Sequence, residues 1–219
     1  MIALTKQKKP RILERNGDDW ARIIRNKLSA GEELTQTEKT RYSHREIKEA
    51  LVSETHGKCA YCESVVLHVD FGDIEHIAPK ILHPEGWVDW NNLAFACRKC
   101  NRAKGTFDAT TLNFVDPYCC DPEQRFMWSG AFIWGLPTDA AARATARLLE
   151  LNRPALVEKR REKLEALMTL AVSIAGIEDP TTREVLLMDF EKETASNKEY
   201  AAVARSVLGE LKKHLQDPS

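Results

Sequence analysis

Residues 59–105 read CAYCESVVLHVDFGDIEHIAPKILHPEGWVDWNNLAFACRKCNRAKG, and this stretch decides the fold. It opens on Cys59-x-x-Cys62 and closes on Cys97-x-x-Cys100, with 34 residues between the two pairs. The N-terminal MIALTKQKKPRIL has no continuous apolar segment, so no export signal is expected. In a reducing compartment disulfides are rare. Zinc is then the common reason for two paired knuckles, since four thiolates close a tetrahedral shell at about 2.3 Å. Full thiolate ligation leaves no position for water, so such a zinc is structural. Redox pairs are the alternative reading. Cys119 and Cys120 are adjacent and cannot form a knuckle; they read as packed or surface thiols.

Between and just after the knuckles lie Asp73-Ile-Glu75-His76-Ile-Ala-Pro79-Lys80, Trp90-Asn91-Asn92-Leu93 and Asn101-Arg-Ala-Lys104. Phosphodiester hydrolysis needs a base for water, an electrophile for the departing oxygen and cations for the polyanion. Imidazole has the side-chain pKa suited to a base near neutrality, which points to His76. A hard divalent ion such as Mg²⁺ prefers oxygen, which Glu75 and the Asn101 amide offer. Lys80, Arg98, Lys99, Arg102 and Lys104 supply cations nearby, and Lys104 shares a helix face with Asn101. In a regular strand Glu75 and His76 face opposite ways, so one site can use both only at a strand end, which Pro79 favours. Taken singly, His76 reads as a core or surface histidine, Glu75 as a solvated carboxylate, Asn91 or Asn92 as a turn residue and Asn101 as a helix cap. Together inside one sulfur cage they suggest a site. His44, His56, His68, His83 and His214 lack comparable neighbours and read as structural or surface residues.

The rest of the chain sets the context. It has 219 residues, 43% hydrophobic and 30% charged, with a formal net charge of -1. That balance excludes a globally basic nucleic-acid binder but leaves room for local basic patches. Residues 1–48 carry 12 Lys/Arg against 7 Asp/Glu, residues 49–75 carry 1 against 6, and residues 76–105 carry 5 against 2. No run reaches the roughly 18 apolar residues of a membrane span, and a cytoplasmic protein is expected.

Helices are predicted over 18–28, from a capping box at Thr35 and Glu38 toward Thr55, and over 139–151, 154–175, 181–194 and 197–215, the last capped by Ser196 and Glu199. Residues 64–77 are β-prone and 80–92 loop-like; 93–96 is a short apolar strand, with a helix starting near Asn101. The piece FMWSGAFIW is a hairpin or a connector. The expected fold is mainly α with a small ββ-plus-helix unit held by a four-cysteine zinc site. Its regions are an N-terminal helical part (1–56), a core (57–110) and a C-terminal connector with helices (111–219).

The run C-A-Y-C-E, then I-E-H-I-x-P-K, then W-N-N-L-x-x-A-C-x-x-C-N-x-x-K-G resembles an HNH endonuclease with a zinc-stapled ββα-metal site. The resemblance implies that His76 is the general base, that Glu75 and Asn101 are ligands of a catalytic Mg²⁺ or Mn²⁺, and that Asn92 holds the loop that orients the histidine. From the residues themselves, Lys80 and Lys104 are the cations expected to serve as binding residues for the polyanion. The HNH name ends on histidine, a place taken here by Asn101. A wider resemblance, through the N-terminal I-x-L-x-K-x-x-x-P-x-x-L, D-P-x-x-x-D-P-E at 116–123 and L-L-x-L-N-R-P-x-L-x-x-x-R at 148–160, is to the HNH subunit of Septu and retron-associated anti-phage systems. It implies an ABC-type, SMC-like ATPase partner bound by the outer helical regions and controlling cleavage. The substrate implied is nucleic acid, DNA foremost, with RNA the other polymer. A zinc-ribbon binding module without catalysis is the rival reading. It explains the four cysteines but leaves Glu75, His76 and Asn101 as coincidence.

Overall fold

The computed structural model describes residues 1–67, 70–107 and 114–216; His68 lies outside them. Among the described residues helices dominate, and the named strands form two separate two-stranded sheets.

Pro10 stands at the N-cap with φ -60°, presetting helix α1 (Arg11–Ser29), whose buried stripe is Leu13, Gly17 and Ile24. The helix starts earlier than its apolar run from Trp20 suggests, because Leu13 extends the same buried face toward the N-terminus. The capping box at Thr35 and Glu38 forms and opens α2 (Gln36–Thr40). The expected continuous helix toward Thr55 is instead broken. Residues Arg41–Ser43 form one 3₁₀ turn, His44 is extended at ψ 143°, and its side chain caps α3 (Arg45–Glu54). This break matters for the site, since it carries Tyr42.

The β-prone run yields much less strand than its composition suggests. Among the described residues of that run, β1 (Asp73–His76) forms, plus one bridge between Lys58 and Val65. Leu67 and Phe71 are 50% and 82% exposed, so their apolar character does not place them in a sheet. Gly72 turns the chain into β1 with φ +65°, where a Cβ would lie 2.4 Å from the Phe95 ring. β1 pairs antiparallel with β2 (Leu93–Ala96), with Glu75 opposite Ala94 and His76 opposite Leu93. Cys97 caps α4 (Arg98–Lys104), so a ββα unit fills the space between and beyond the knuckles.

FMWSGAFIW is a hairpin of β3 (Phe126–Ser129) and β4 (Phe132–Gly135). The helices α5 (Ala140–Leu148), α6 (Pro154–Ala175), α7 (Pro180–Lys192) and α8 (Ala201–Gln216) follow it. The expected cap of α8 does not form. Glu199 instead accepts from Val65 N at 2.8 Å, and Tyr200, at φ +53°, hydrogen-bonds Ser64 Oγ through its hydroxyl at 2.9 Å. A tertiary contact has taken the capping side chain, and the helix begins after it.

One contiguous core joins Leu13 and Ile24 of α1, Leu51 of α3, Phe95 of β2 and Ile174 of α6. The small ββα unit therefore leans on helices from both ends of the chain. No helix among the described residues is long and apolar enough to cross a membrane.

Candidate active site and metal centre

The sulfurs of Cys59, Cys62, Cys97 and Cys100 all lie within 4.8 Å of one another. A tetrahedron with metal–sulfur bonds of about 2.3 Å has edges of about 3.8 Å. Cys62 Sγ and Cys97 Sγ are 3.9 Å apart, so the donor set fits a tetrahedral ion. Local chain geometry builds it: Cys59 N donates to Ser64 O at 2.9 Å, and Cys100 N donates to Cys97 Sγ at 3.4 Å. Arg153, at the junction of α5 and α6, brings both terminal nitrogens within 3.6 Å of Cys100 Sγ and one within 3.9 Å of Cys97 Sγ.

Glu75, His76, Pro79, Lys80 and Asn101 line one cavity of about 170 Å³, together with Tyr42. His76 is the last residue of β1, so the alternation that would separate it from Glu75 stops there. Its Nε2 lies 2.9 Å from Trp87 O. A carbonyl oxygen only accepts, so Nε2 carries the proton and Nδ1 keeps a lone pair. The Tyr42 ring packs edge-on against the imidazole at 4.6 Å between centroids and 75°. Lys80 Nζ sits 3.8 Å from the centre of the same tyrosine ring and 5.2 Å from that of Trp87.

Asn92 is nearly buried and makes three hydrogen bonds to the loop after β1. Its Oδ1 accepts from Ala78 N at 2.7 Å, and its Nδ2 donates to Ala78 O and Gly86 O, both at 2.9 Å. Gly86 gives it room, because a Cβ there would lie 2.6 Å from Asn92 Nδ2. The carbonyl that orients His76 belongs to the next residue, Trp87. Asn101 Nδ2 donates to Asp73 Oδ2 at 2.9 Å, which leaves the amide oxygen as the donor for a cation.

Electrostatics distinguish the two central groups. Burial pulls His76 down to about 4, with Lys80 and Lys104 adding to the effect against the Trp87 carbonyl. The imidazole is therefore neutral at physiological pH. Burial pushes Glu75 up to about 7, although Lys104 favours its charged form. Lys104 Nζ is 2.7 Å from Glu75 Oε1, but that buried oxygen has no aligned hydrogen bond. The pair is close in charge and poor in hydrogen-bond direction. Glu75 and Asn101 line the same cavity, and a carboxylate with an amide oxygen is the kind of ligand an oxygen-seeking divalent ion prefers.

Lys104, expected near phosphate, is itself buried at 2% exposure, whereas Arg98, Lys99 and Arg102 lie nearer the surface of α4. Tyr42, Arg153 and the Trp87 carbonyl escaped the sequence reading. No local spacing marks them, although Arg153 does fall in the N-R-P run of the wider motif. Cys119 is exposed and donates to Asp116 Oδ2 at 3.2 Å, away from the four-sulfur cluster.

Residues 59–107 match the family model for HNH endonuclease. The chain is also similar to Septu protein PtuB of Bacillus thuringiensis, 27% identical over 134 residues, covering 61% of this chain and 51% of that protein. Septu protein PtuB of Bacillus mycoides (strain KBAB4) is 31% identical over 121 residues, covering 47% of this chain and 40% of the relative. The matched stretch thus spans about half the length of these curated relatives, or less. With its ββα unit, its four clustered cysteines and His76 at the end of the first strand, the segment 59–107 is an HNH endonuclease domain, set in a helical chain similar to the Septu proteins.

Proposed function

We propose that this chain is a metal-dependent endonuclease that hydrolyses phosphodiester bonds in nucleic acid, DNA foremost. The observation that carries the reading is the His76 ring, protonated on Nε2 toward Trp87 O and sharing a cavity with Glu75 and Asn101. His76 Nδ1 takes a proton from water as the water oxygen bonds to phosphorus and the bond to the 3′ oxygen breaks. Asn92 keeps the imidazole aligned by holding the loop that ends in the Trp87 carbonyl. Glu75 and Asn101 would hold Mg²⁺ or Mn²⁺, which when bound supplies positive charge to the departing oxygen. Lys80 lines the cavity, half-buried, and in this reading it would meet a substrate phosphate. Cys59, Cys62, Cys97 and Cys100 would hold a structural Zn²⁺ that ties the start of α4 to the knuckle at residues 59–62.

The wider reading is an effector subunit of an anti-phage complex, working in the cytoplasm with an ABC-type ATPase. The similarity to Septu PtuB and the run LLELNRPALVEKR at 148–160 support it. In that reading residues 57–110 are the nuclease core, while 1–56 and 111–219 hold the partner.

The test is His76→Ala in the full chain, assayed with Mg²⁺ or Mn²⁺ alone and in the complex it purifies with. Cleavage is expected to vanish while zinc stays bound and the chain still unfolds cooperatively, at a melting temperature lowered by the loss of the buried ring and its hydrogen bond to Trp87 O. Parental cleavage by this variant would leave a zinc-ribbon binding module as the better description, with any nuclease activity coming from a contaminant.

A further inference from the structure

We propose that Lys104 is a positioning residue that clamps the end of β1, not a cation that meets the substrate; the inference rests on the nuclease reading above. Lys104 ends α4 and its side chain is entirely enclosed. An ammonium so enclosed does not reach the phosphates of a polymer lying on the surface. It faces inward to two consecutive residues of the strand instead. Nζ donates to His76 O at 2.9 Å and stands 2.7 Å from Glu75 Oε1. One atom thus holds the main chain of the base and the side chain of its neighbour.

The contact belongs to a row. Asn101 reaches Asp73 at 2.9 Å, and Lys104 reaches Glu75 at 2.7 Å. The partners are three apart on the helix and two apart on the strand, so each spacing returns to the same face of its element. The start of α4 is anchored by Cys97 and Cys100, and its end by Lys104. The four-sulfur centre and the catalytic cavity are joined through this one helix.

A buried charge is retained only when paired, and breaking such a pair leaves an uncompensated partner behind. Without Lys104, Glu75 would lose its counter-charge and the His76 carbonyl its buried donor. Both residues would remain present but no longer held. The effect should fall on the chemical step and on metal binding, not on capture of nucleic acid.

The experiment compares Lys104→Met and Lys104→Arg with the parent, as full chains and in the complex they purify with. Zinc content and thermal melts establish folding. Cleavage of a DNA duplex gives kcat and KM, the salt dependence of DNA binding gives the number of phosphate contacts, and Mn²⁺ titration followed by electron paramagnetic resonance gives metal affinity without substrate. We expect Lys104→Met to lose about 10- to 100-fold in Mn²⁺ affinity and at least as much in kcat. KM and the salt slope should stay parental, and Lys104→Arg should recover part of the loss. A raised KM at parental kcat, with a salt slope shallower by about 1, would mean a phosphate contact and overturn the proposal. Parental kcat and Mn²⁺ affinity in the methionine variant would also overturn it. Should that variant fail to fold, lowered kcat at unchanged KM in Lys104→Arg supports the clamp, and a raised KM refutes it. If the parent cleaves nothing, the nuclease reading fails, while the Mn²⁺ titration still reports on Lys104.

Discussion

Both terminal nitrogens of Arg153 lie 3.6 Å from Cys100 Sγ, across 53 residues of sequence. Four thiolates around one divalent ion carry two net negative charges, and the guanidinium offsets them from the side of α6. Arg153→Met should therefore shorten metal retention against a chelator by about 10- to 100-fold. Stability should fall by about 1–3 kcal/mol, as for hydrogen bonds to charged groups. For a chain of this size, each kcal/mol lowers the melting temperature by roughly 2–4 °C. Parental metal release and melting would show that the contact is incidental.

Asn92 gives the loop between the strands three hydrogen bonds, using both of its amide N–H groups and its carbonyl oxygen. Asn92→Ala leaves the buried Gly86 carbonyl and the part-buried Ala78 groups without their partner, which should cost about 1–3 kcal/mol. It should also lower kcat, because the loop carries the Trp87 carbonyl that holds the imidazole. Asn92→Asp keeps the acceptor for Ala78 N but replaces the donor to two carbonyls with an oxygen, so it should be no better. Gly86→Ala should show the same paired loss, since its Cβ would press on Asn92. Equilibrium unfolding and cleavage assays on the three variants check this, and full activity in Asn92→Ala would remove the loop from the mechanism.

His76 and Glu75 should tilt the pH dependence of stability in opposite directions when no divalent ion occupies the cavity. His76 falls from its usual 6.5 to about 4, so over that window the unfolded chain binds more protons and stability rises with pH. Glu75 rises from 4.5 to about 7, so over its window the folded chain binds more protons and stability falls with pH. Between about 4.5 and 6.5 the two slopes oppose each other. Glu75→Gln removes one of them, and its stability should climb more steeply with pH there than the parent's. A tenfold change in proton affinity is worth about 1.4 kcal/mol, which puts the full His76 contribution on the order of 3 kcal/mol. Denaturant titrations at several pH values decide it; parallel curves for variant and parent would count against the burial argument.

The two metal sites should separate by chelation. Brief treatment with EDTA is expected to abolish cleavage while zinc and melting temperature persist, and Mg²⁺ or Mn²⁺ alone should restore activity. A thiol-reactive agent that ejects zinc should unfold the ββα unit, because the unit is small and anchored through Cys97 and Cys100. Asn101→Ala should abolish cleavage with a change in melting of only a few degrees, its hydrogen bond to Asp73 being partly exposed. Activity that survives EDTA would contradict the use of a second ion.

The amino-acid sequence by itself determined the parts that depend on neighbours in the chain. The C-x-x-C spacing brings two thiolates of each pair together, Pro154 starts α6, and the short apolar run at 93–96 makes a strand. The cluster of Glu75, His76, Asn92 and Asn101 was legible because its members lie within one short, sulfur-bounded stretch. Tertiary structure decided whatever depends on distant segments. Tyr42 meets His76 only because the helix expected through it breaks at His44. Glu199 leaves its expected capping role for Val65 because folding brings 134 residues of separation down to one hydrogen bond. The identity of Lys104 could suggest a phosphate contact, but burial turned its charge inward, and burial is a property of the whole packed chain, which no local spacing contains.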